Sequence, residues 1–337
     1  MSDGLWAEPA ANPDRVLGGG MWALPGLVDA HAHYARPSMD GEPGDPDGAA
    51  ERAQAALRTG VMLALDKGWS DLTVVEMIDR LSPMERPDVE AAGIMTTVEG
   101  GYYPGFGRIV DATTLEAGIH DAGRESAGWV KLVGDWPRKG VGPMPNFTQE
   151  QLSLAVGIAG EHGARVAIHT MAPDVPSMAV RAGVQSIEHG LFLTEDDLEP
   201  LASRGGIWVP TVLNMEAVLT QLGAESSGGK LISAGLDNVS RLLPLAAEAG
   251  VHVLAGTDLA VPSERVGEEA VGLHRLGLSR EQAVRAVSTA GFAATGRNHA
   301  FEVGSPADAV FYDENPMIEP AVLGHPAMIV RRGSVIR

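Results

Sequence analysis

The stretch Leu27-Val28-Asp29-Ala30-His31-Ala32-His33-Tyr34 decides how this chain is read. An apolar run, Leu24, Leu27 and Val28 with Pro25-Gly26 as punctuation, enters as a strand and ends in His31-Ala32-His33. Side chains two apart on a strand face the same way, so both imidazoles share one face, where one metal ion could take both. Ala32 between them is small and points away. A metal needs more than two ligands, so further donors are expected at other strand ends.

Working outward, the loop ARPSMDGEPGDPDG (35–48) follows this strand, and residues 49–67 read as a helix on the spacing of Ala49, Ala53, Ala56, Leu57 and Val61. Leu72–Val75 reads as a short strand, Met77–Leu81 as a helix, and Val89–Thr96 as a third strand entering the loop Glu99–Gly105. A helix at Leu115–Ala122 precedes the strand Gly128–Val133. Thr148 with Gln151 forms a capping box for a helix to about Glu161. Ala164–His169 and Val184–His189 are strands ending in histidine, joined by a brief helix at Val175–Arg181. Thr194 caps a helix through Ser203, Gly206–Leu213 reads as a strand, and residues 221–230 as a mobile segment. A helix over Leu236–Ala249, which Pro244 should kink, leads to the strand Val251–Asp258. Ser279 and Gln282 box the last helix, through Thr295.

Eight strands between 24 and 258, most followed by helical pattern, predict an α/β fold, the (β/α)8 barrel. The expected division is a catalytic barrel over 24–300 and a small, reduced β-rich domain from 1–23 plus 301–337, where the tail switches to short strands. A doubly wound open sheet is the runner-up, but its Gly-rich first turn is missing; Gly18-Gly19-Gly20 reads as an ordinary turn.

A length of 337 residues with 45% apolar composition suits one large core. The net charge of −19 argues against nucleic acid as a partner. The absence of cysteine removes disulfides, thiolate metal sites and a cysteine nucleophile together. Neither a secretory signal nor a membrane-length apolar run is visible, so the expectation is a cytoplasmic protein acting on a small molecule, with its oligomeric state left open.

Beyond ordinary core composition, the polar groups at strand ends are His31 and His33, Lys131, His169, His189 and Asp258. Their intervals place them at the ends of strands 1, 4, 5, 6 and 8, all opening onto one carboxyl-terminal mouth. Imidazole nitrogen and carboxylate oxygen suit zinc, and also manganese, iron or cobalt. Lys131, desolvated among Trp129, Val130 and Leu132, would have its neutral form favoured. A neutral amine can add carbon dioxide to become a carbamate, a carboxylate on a long stem. Glu188, next to His189, is expected to face away from it as a packing or supporting carboxylate.

These residues resemble the metal-dependent amidohydrolase superfamily, from LPGLVDAHAHY through VKLVGDW, VAIHT, SIEHG and AGTD to GSPADAVFYDENP. IEHG and the tail look most like the branch of imidazolonepropionase-related enzymes and metallo-dipeptidases. The resemblance implies two divalent metal ions: His31, His33 and Asp258 on one, His169 and His189 on the other, with carboxylated Lys131 bridging them. It implies hydrolysis of an amide bond, as in a dipeptide, N-acyl amino acid or cyclic amide, by a metal-bridging hydroxide with Asp258 as general acid and base. The N-terminal segment is shorter than the family's, and Gly101-Tyr102-Tyr103-Pro104 stands where the dipeptidase branch often carries histidines.

Tyr102, Tyr103, Trp136, Arg138, Lys139 and Asn214 are placed in loops at the same mouth; Arg138 or Lys139 is a candidate for a substrate carboxylate, or a solvated loop charge. The competing readings are a mononuclear nucleobase-type deaminase, a lactone or ester hydrolase on the same site, and a dead binding scaffold. Against the deaminase, His169 is followed by Thr170-Met171-Ala172-Pro173, with no glutamate.

Overall fold

A computed structural model describes residues 1, 3–8, 16–39 and 41–337. Residues 2, 9–15 and 40, within the expected N-terminal segment and the 35–48 loop, lie outside the described residues.

The barrel forms because eight short apolar segments hydrogen-bond side by side in parallel, each buried on both faces. Leu27–Ala32 pairs with Val61–Asp66, and that strand with Asp88–Ala91. Thr96–Val98 continues the third strand beyond a break at Ala92-Gly93 and pairs with Trp129–Val133. Arg165–Thr170, Ser186–His189, Ile207–Val209 and His252–Val253 follow in order. Closure comes from the first strand: Ala30 N–H donates to the Ala255 carbonyl at 2.8 Å, and Asp258 N–H to the His31 carbonyl at 2.8 Å. The (β/α)8 barrel expected from the alternation is the fold observed.

Several elements differ from expectation. The helix expected over 49–67 is Pro46–Leu57, opened by the Asp45 side chain accepting from Gly48 N–H, and Val61–Asp66 is the second barrel strand. Gly60, at φ 92°, makes the turn between them, where an added Cβ would lie 2.8 Å from Val310. Leu72–Val75 is not a strand but the start of the helix Thr73–Arg80. Ile207–Val209 ends early because Val212–Leu222 is helical, and the segment read as mobile is the end of that helix, a four-residue turn and the start of the helix Ser227–Ala249, capped by Ser226 on Gly229 N–H. The last helix is two, Arg280–Ala286 and Thr289–Ala294. The capping box of Thr148 and Gln151 opens Gln149–Glu161 as read. A hairpin, Asp135–Arg138 with Gly142–Pro145, rises beyond the fourth strand without having been foreseen.

A separate antiparallel sheet joins Trp22–Leu24 to Ala309–Tyr312, Met328–Arg331 and Ser334–Val335. Arg331 ties it to the barrel. Its guanidinium, fully buried, reaches Asp88 and Asp308 at 2.7 Å each, and Asp308 also meets His299 at 3.1 Å.

Removing a buried partner strands the opposite charges, so Arg331→Met is expected to cost about 3–5 kcal/mol in urea unfolding. Arg285→Ala, which breaks an exposed pair with Glu281, should stay within about 0.5 kcal/mol. Equal effects from the two variants would show that Arg331 does not anchor the sheet.

Candidate metal centre

His31 and His33 emerge from the first strand on one face, ring centroids 5.2 Å apart. Asp258 arrives from the eighth strand on a backbone at φ 42°, followed by Leu259 at 62°, both in the left-handed region that non-glycine residues seldom enter. Gly256 is what lets these strands close up: an added Cβ would lie 2.5 Å from His31 Cβ and 2.9 Å from its amide nitrogen. The approach places Asp258 Oδ1 at 3.3 Å from His31 Nε2 and 3.4 Å from His33 Nε2, with Oδ2 3.8 Å from His189 Nε2. One ligand atom from each of His31, His33 and Asp258 lies within 4.8 Å of the others.

The outer nitrogen of each ring determines what the inner one offers. His33 Nδ1 is 2.9 Å from the Gly68 carbonyl, which can only accept, so Nδ1 carries the hydrogen. Thr211 donates its hydroxyl to the Pro210 carbonyl at 2.8 Å and is left to accept from His189 Nδ1 at 2.6 Å. His31 Nδ1 lies 2.7 Å from Glu188 Oε2. In all three rings Nε2 is therefore left as a lone pair facing Asp258. Burial, outweighing the attraction of Asp258 and helped by Lys131, pushes His31 down to about 3 and His189 to about 4, so both are neutral at pH 7.

Lone pairs and a carboxylate converging at 3.3–3.8 Å repel one another unless a cation lies among them. The residues fit a metal.

His169 Nδ1 approaches His189 Nε2 at 2.9 Å, while its own Nε2 is buried without a partner. Lys131 Nζ is likewise buried without a hydrogen-bond partner. Burial first, with Lys67 adding to it, pushes this amine down to about 8. The six residues singled out in the sequence thus gather at one mouth.

Glu188 departs from its expected orientation. His189 sits at φ 59°, which breaks strand alternation and brings both side chains to His31. Lys67 faces the other Glu188 oxygen at 3.1 Å and lies 4.6 Å from the Trp129 ring centroid. Although burial works against its charge, Lys67 above all, then His31 and Lys131, hold the Glu188 carboxyl well below its usual range. Sequence reading missed Lys67 because Val61–Asp66 was taken as helix; read as a strand, VMLALDK carries a lysine just past its end, where WVKLV carries one within. Asp29 was also missed, although it shares parity with both histidines; it accepts from Thr257 and Ser263 and so fixes the loop after the eighth strand.

Of the candidate substrate residues, Tyr102, Tyr103, Trp136 and Asn214 line the cavity above the donors. Asn214 donates to the Asp258 carbonyl at 2.6 Å. Arg138 does not line it: its guanidinium turns along the hairpin to Asn146 at 3.1 Å. Lys139 is exposed at the hairpin turn and is also outside the lining.

The sequence matches the amidohydrolase family over residues 22–336. The chain belongs to this family. An uncharacterized protein of Mycobacterium tuberculosis is 32% identical over 342 residues, covering 97% of this chain and 88% of its own. Among solved structures, a Xaa-Pro dipeptidase with methionine bound in its active site has a TM-score of 0.79 at 23% identity, over 94% of this chain and 87% of that one. The Aspergillus niger ochratoxinase gives 0.77 at 20% identity, over 94% and 83%. These likenesses bear on the barrel fold; family membership makes this amidohydrolase a hydrolase of carbon–nitrogen bonds. Among the described residues no helix is long and apolar enough to cross a membrane.

The amidohydrolase carries Asn214 on the helix Val212–Leu222, whose first amides, Val212 and Leu213, donate to the buried Glu269 carboxyl at 2.5 and 3.0 Å. Burial raises Glu269 from 4.5 to about 8 against the pull of those amides. The unfolded chain then releases a proton that the folded one keeps. Stability should therefore fall as pH rises from about 4.5 to about 8, at up to about 1.4 kcal/mol per unit from this group. Glu269→Gln, followed by denaturant unfolding across that range, should lack this share of the slope; parallel curves would place the titration elsewhere.

Proposed function

We propose that this amidohydrolase cleaves the amide bond of a small molecule at a pair of divalent metal ions, with Asp258 moving the proton. The observation that carries the reading is the convergence of three imidazole lone pairs on the Asp258 carboxylate in a buried pocket. His31, His33 and Asp258 would hold one ion, and His169 and His189 the other. Lys131 would bridge them once its amine lone pair has bonded to carbon dioxide and lost a proton to become a carbamate. A lysine that is buried, unpartnered and pushed toward its neutral form suits that addition. Zinc is the first choice for such nitrogen and oxygen donors, with manganese, iron and cobalt next.

When bound, such ions polarise a carbonyl and make water acidic near neutral pH. The chain's own residues do the rest. Asp258 accepts the proton of the attacking water and delivers it to the leaving nitrogen as the C–N bond breaks. The Asn214 amide and the His31 carbonyl hold the Asp258 backbone from two sides, fixing where that carboxylate points. Glu188, Gly68 and Thr211 keep the imidazole hydrogens on the outer nitrogens.

Asp258→Asn should lower kcat by about 10²–10⁴-fold, the usual worth of a general acid–base group, while retaining most of the metal. Emission spectrometry should count about two ions per chain, the number a two-metal site requires. Full activity in the variant would remove Asp258 from this role, and a count of about one would favour the mononuclear deaminase chemistry. Reconstituting metal-free protein without carbon dioxide should leave it inactive until bicarbonate is added; equal recovery in both buffers would exclude the Lys131 carbamate.

A further inference from the structure

The cavity above the donors is about 460 Å³, the size that takes a drug-sized molecule. One wall is a continuous aromatic surface. Tyr102 packs on Trp136 with ring centroids 4.6 Å apart, Tyr103 on Trp136 at 4.9 Å, and the two tyrosines on each other at 5.0 Å. This wall adjoins the reacting centre: Trp136 lies 6.0 Å and Tyr102 6.3 Å from the His169 ring. Facing surfaces are supplied by thioether and aliphatic groups, among them Met171, Met215, Val218 and Leu259.

Among the described residues lining the cavity, Lys131 at its floor is the one ammonium or guanidinium. Of the two candidates for a substrate carboxylate, Arg138 is turned to Asn146 and Lys139 lies outside the lining. A carboxylate held against this wall would lose its water without gaining a cationic partner, which is costly. A flat apolar ring would instead gain both buried area and edge-to-face contacts.

We propose that the cavity selects an uncharged amide bearing an aromatic group, which packs on Tyr102, Tyr103 and Trp136 beside the scissile bond. The proposal rests on the amide-hydrolase reading above and narrows its substrate class, away from free dipeptides and N-acyl amino acids.

The test is a near-isosteric pair that differs in charge at one end, N-benzoylphenylalanine and its primary amide. Binding is measured by calorimetry on the metal-loaded protein and turnover by release of benzoate. The neutral ligand should bind, and turn over by kcat/KM, about tenfold better or more, the penalty for a desolvated, unpartnered carboxylate. Trp136→Ala should weaken neutral binding by a similar factor without changing the circular dichroism spectrum. Gln221→Arg, a cation placed at the cavity lining, should narrow or reverse the preference between the two ligands.

A carboxylate bound as tightly as the amide, or more tightly, overturns the proposal. So does an undiminished affinity in the Trp136 variant, or no binding of either ligand. If the neutral ligand binds preferentially and neither is hydrolysed, the selectivity stands and the amide-hydrolase reading is what fails.

Discussion

The structure depends on where three imidazole hydrogens point. Each ring of His31, His33 and His189 is tied from outside, by a carboxylate, a carbonyl and a hydroxyl that has already spent its own hydrogen. The inner nitrogens are then obliged to present lone pairs to one another and to Asp258. A folded protein that buries this arrangement has built electrostatic repulsion into its interior, eased at His189 by His169 Nδ1 at 2.9 Å, and a cation at the centre would turn that repulsion into attraction. The backbone shows the same tension. His189, Thr211, Asp258 and Leu259, four of the six non-glycine residues described with positive φ, all belong to this mouth. Sparsely populated conformations persist where the surroundings over-determine them, and here the barrel's closing hydrogen bonds do so.

Beneath the donors the floor is electrostatic as well. Lys67 and Lys131 are both buried and share the Glu188 carboxylate, which is also the partner of His31, with Asp258 acting more weakly on Lys131. Two ammonium groups cannot both be well served by one carboxylate in a medium of low polarity. Neither amine completes a hydrogen bond; Lys67 has the ion-pair contact with Glu188, at 3.1 Å and over the face of Trp129. The depressed basicity of Lys131 therefore owes something to its cationic neighbour as well as to desolvation.

Much of this was legible in the sequence. The barrel and seven of its eight strands followed from apolar runs carrying a polar side chain, as did the six residues that gather at its mouth, because a parallel strand buried on both faces has little room for a polar residue without a purpose. What was missed has a common physical origin. Val61–Asp66 was read as helix because its apolar residues carry on the spacing of Ala49–Leu57, and a continuous apolar run does not announce its own period. That misreading hid Lys67. The inward turn of Glu188 was invisible for a different reason: alternation holds for regular strands, and the left-handed backbone of His189 is imposed by tertiary contacts. The retreat of Arg138 likewise depends on a hairpin whose partner strand, Gly142–Pro145, has a composition of glycine and proline that predicts no strand at all.

The two functions proposed for the mouth fall on different kinds of structure. The donors stand on strand ends, locked by ladder hydrogen bonds and close-packed neighbours such as Gly256, where a single added methyl would strike His31. The aromatic wall stands on the Gly101–Phe106 loop and near the base of the hairpin formed by Asp135–Arg138 and Gly142–Pro145, held chiefly by ring-to-ring contacts and by Asn146, which donates to the Gly101 and Val133 carbonyls. Changes in the wall can therefore alter which molecule is admitted without disturbing the donors, whereas changes at the strand ends disturb both. Chemistry fixed on strands and selection placed on loops is the general logic of barrel enzymes. In this chain the boundary between them runs along the 6.0 Å gap between the rings of Trp136 and His169.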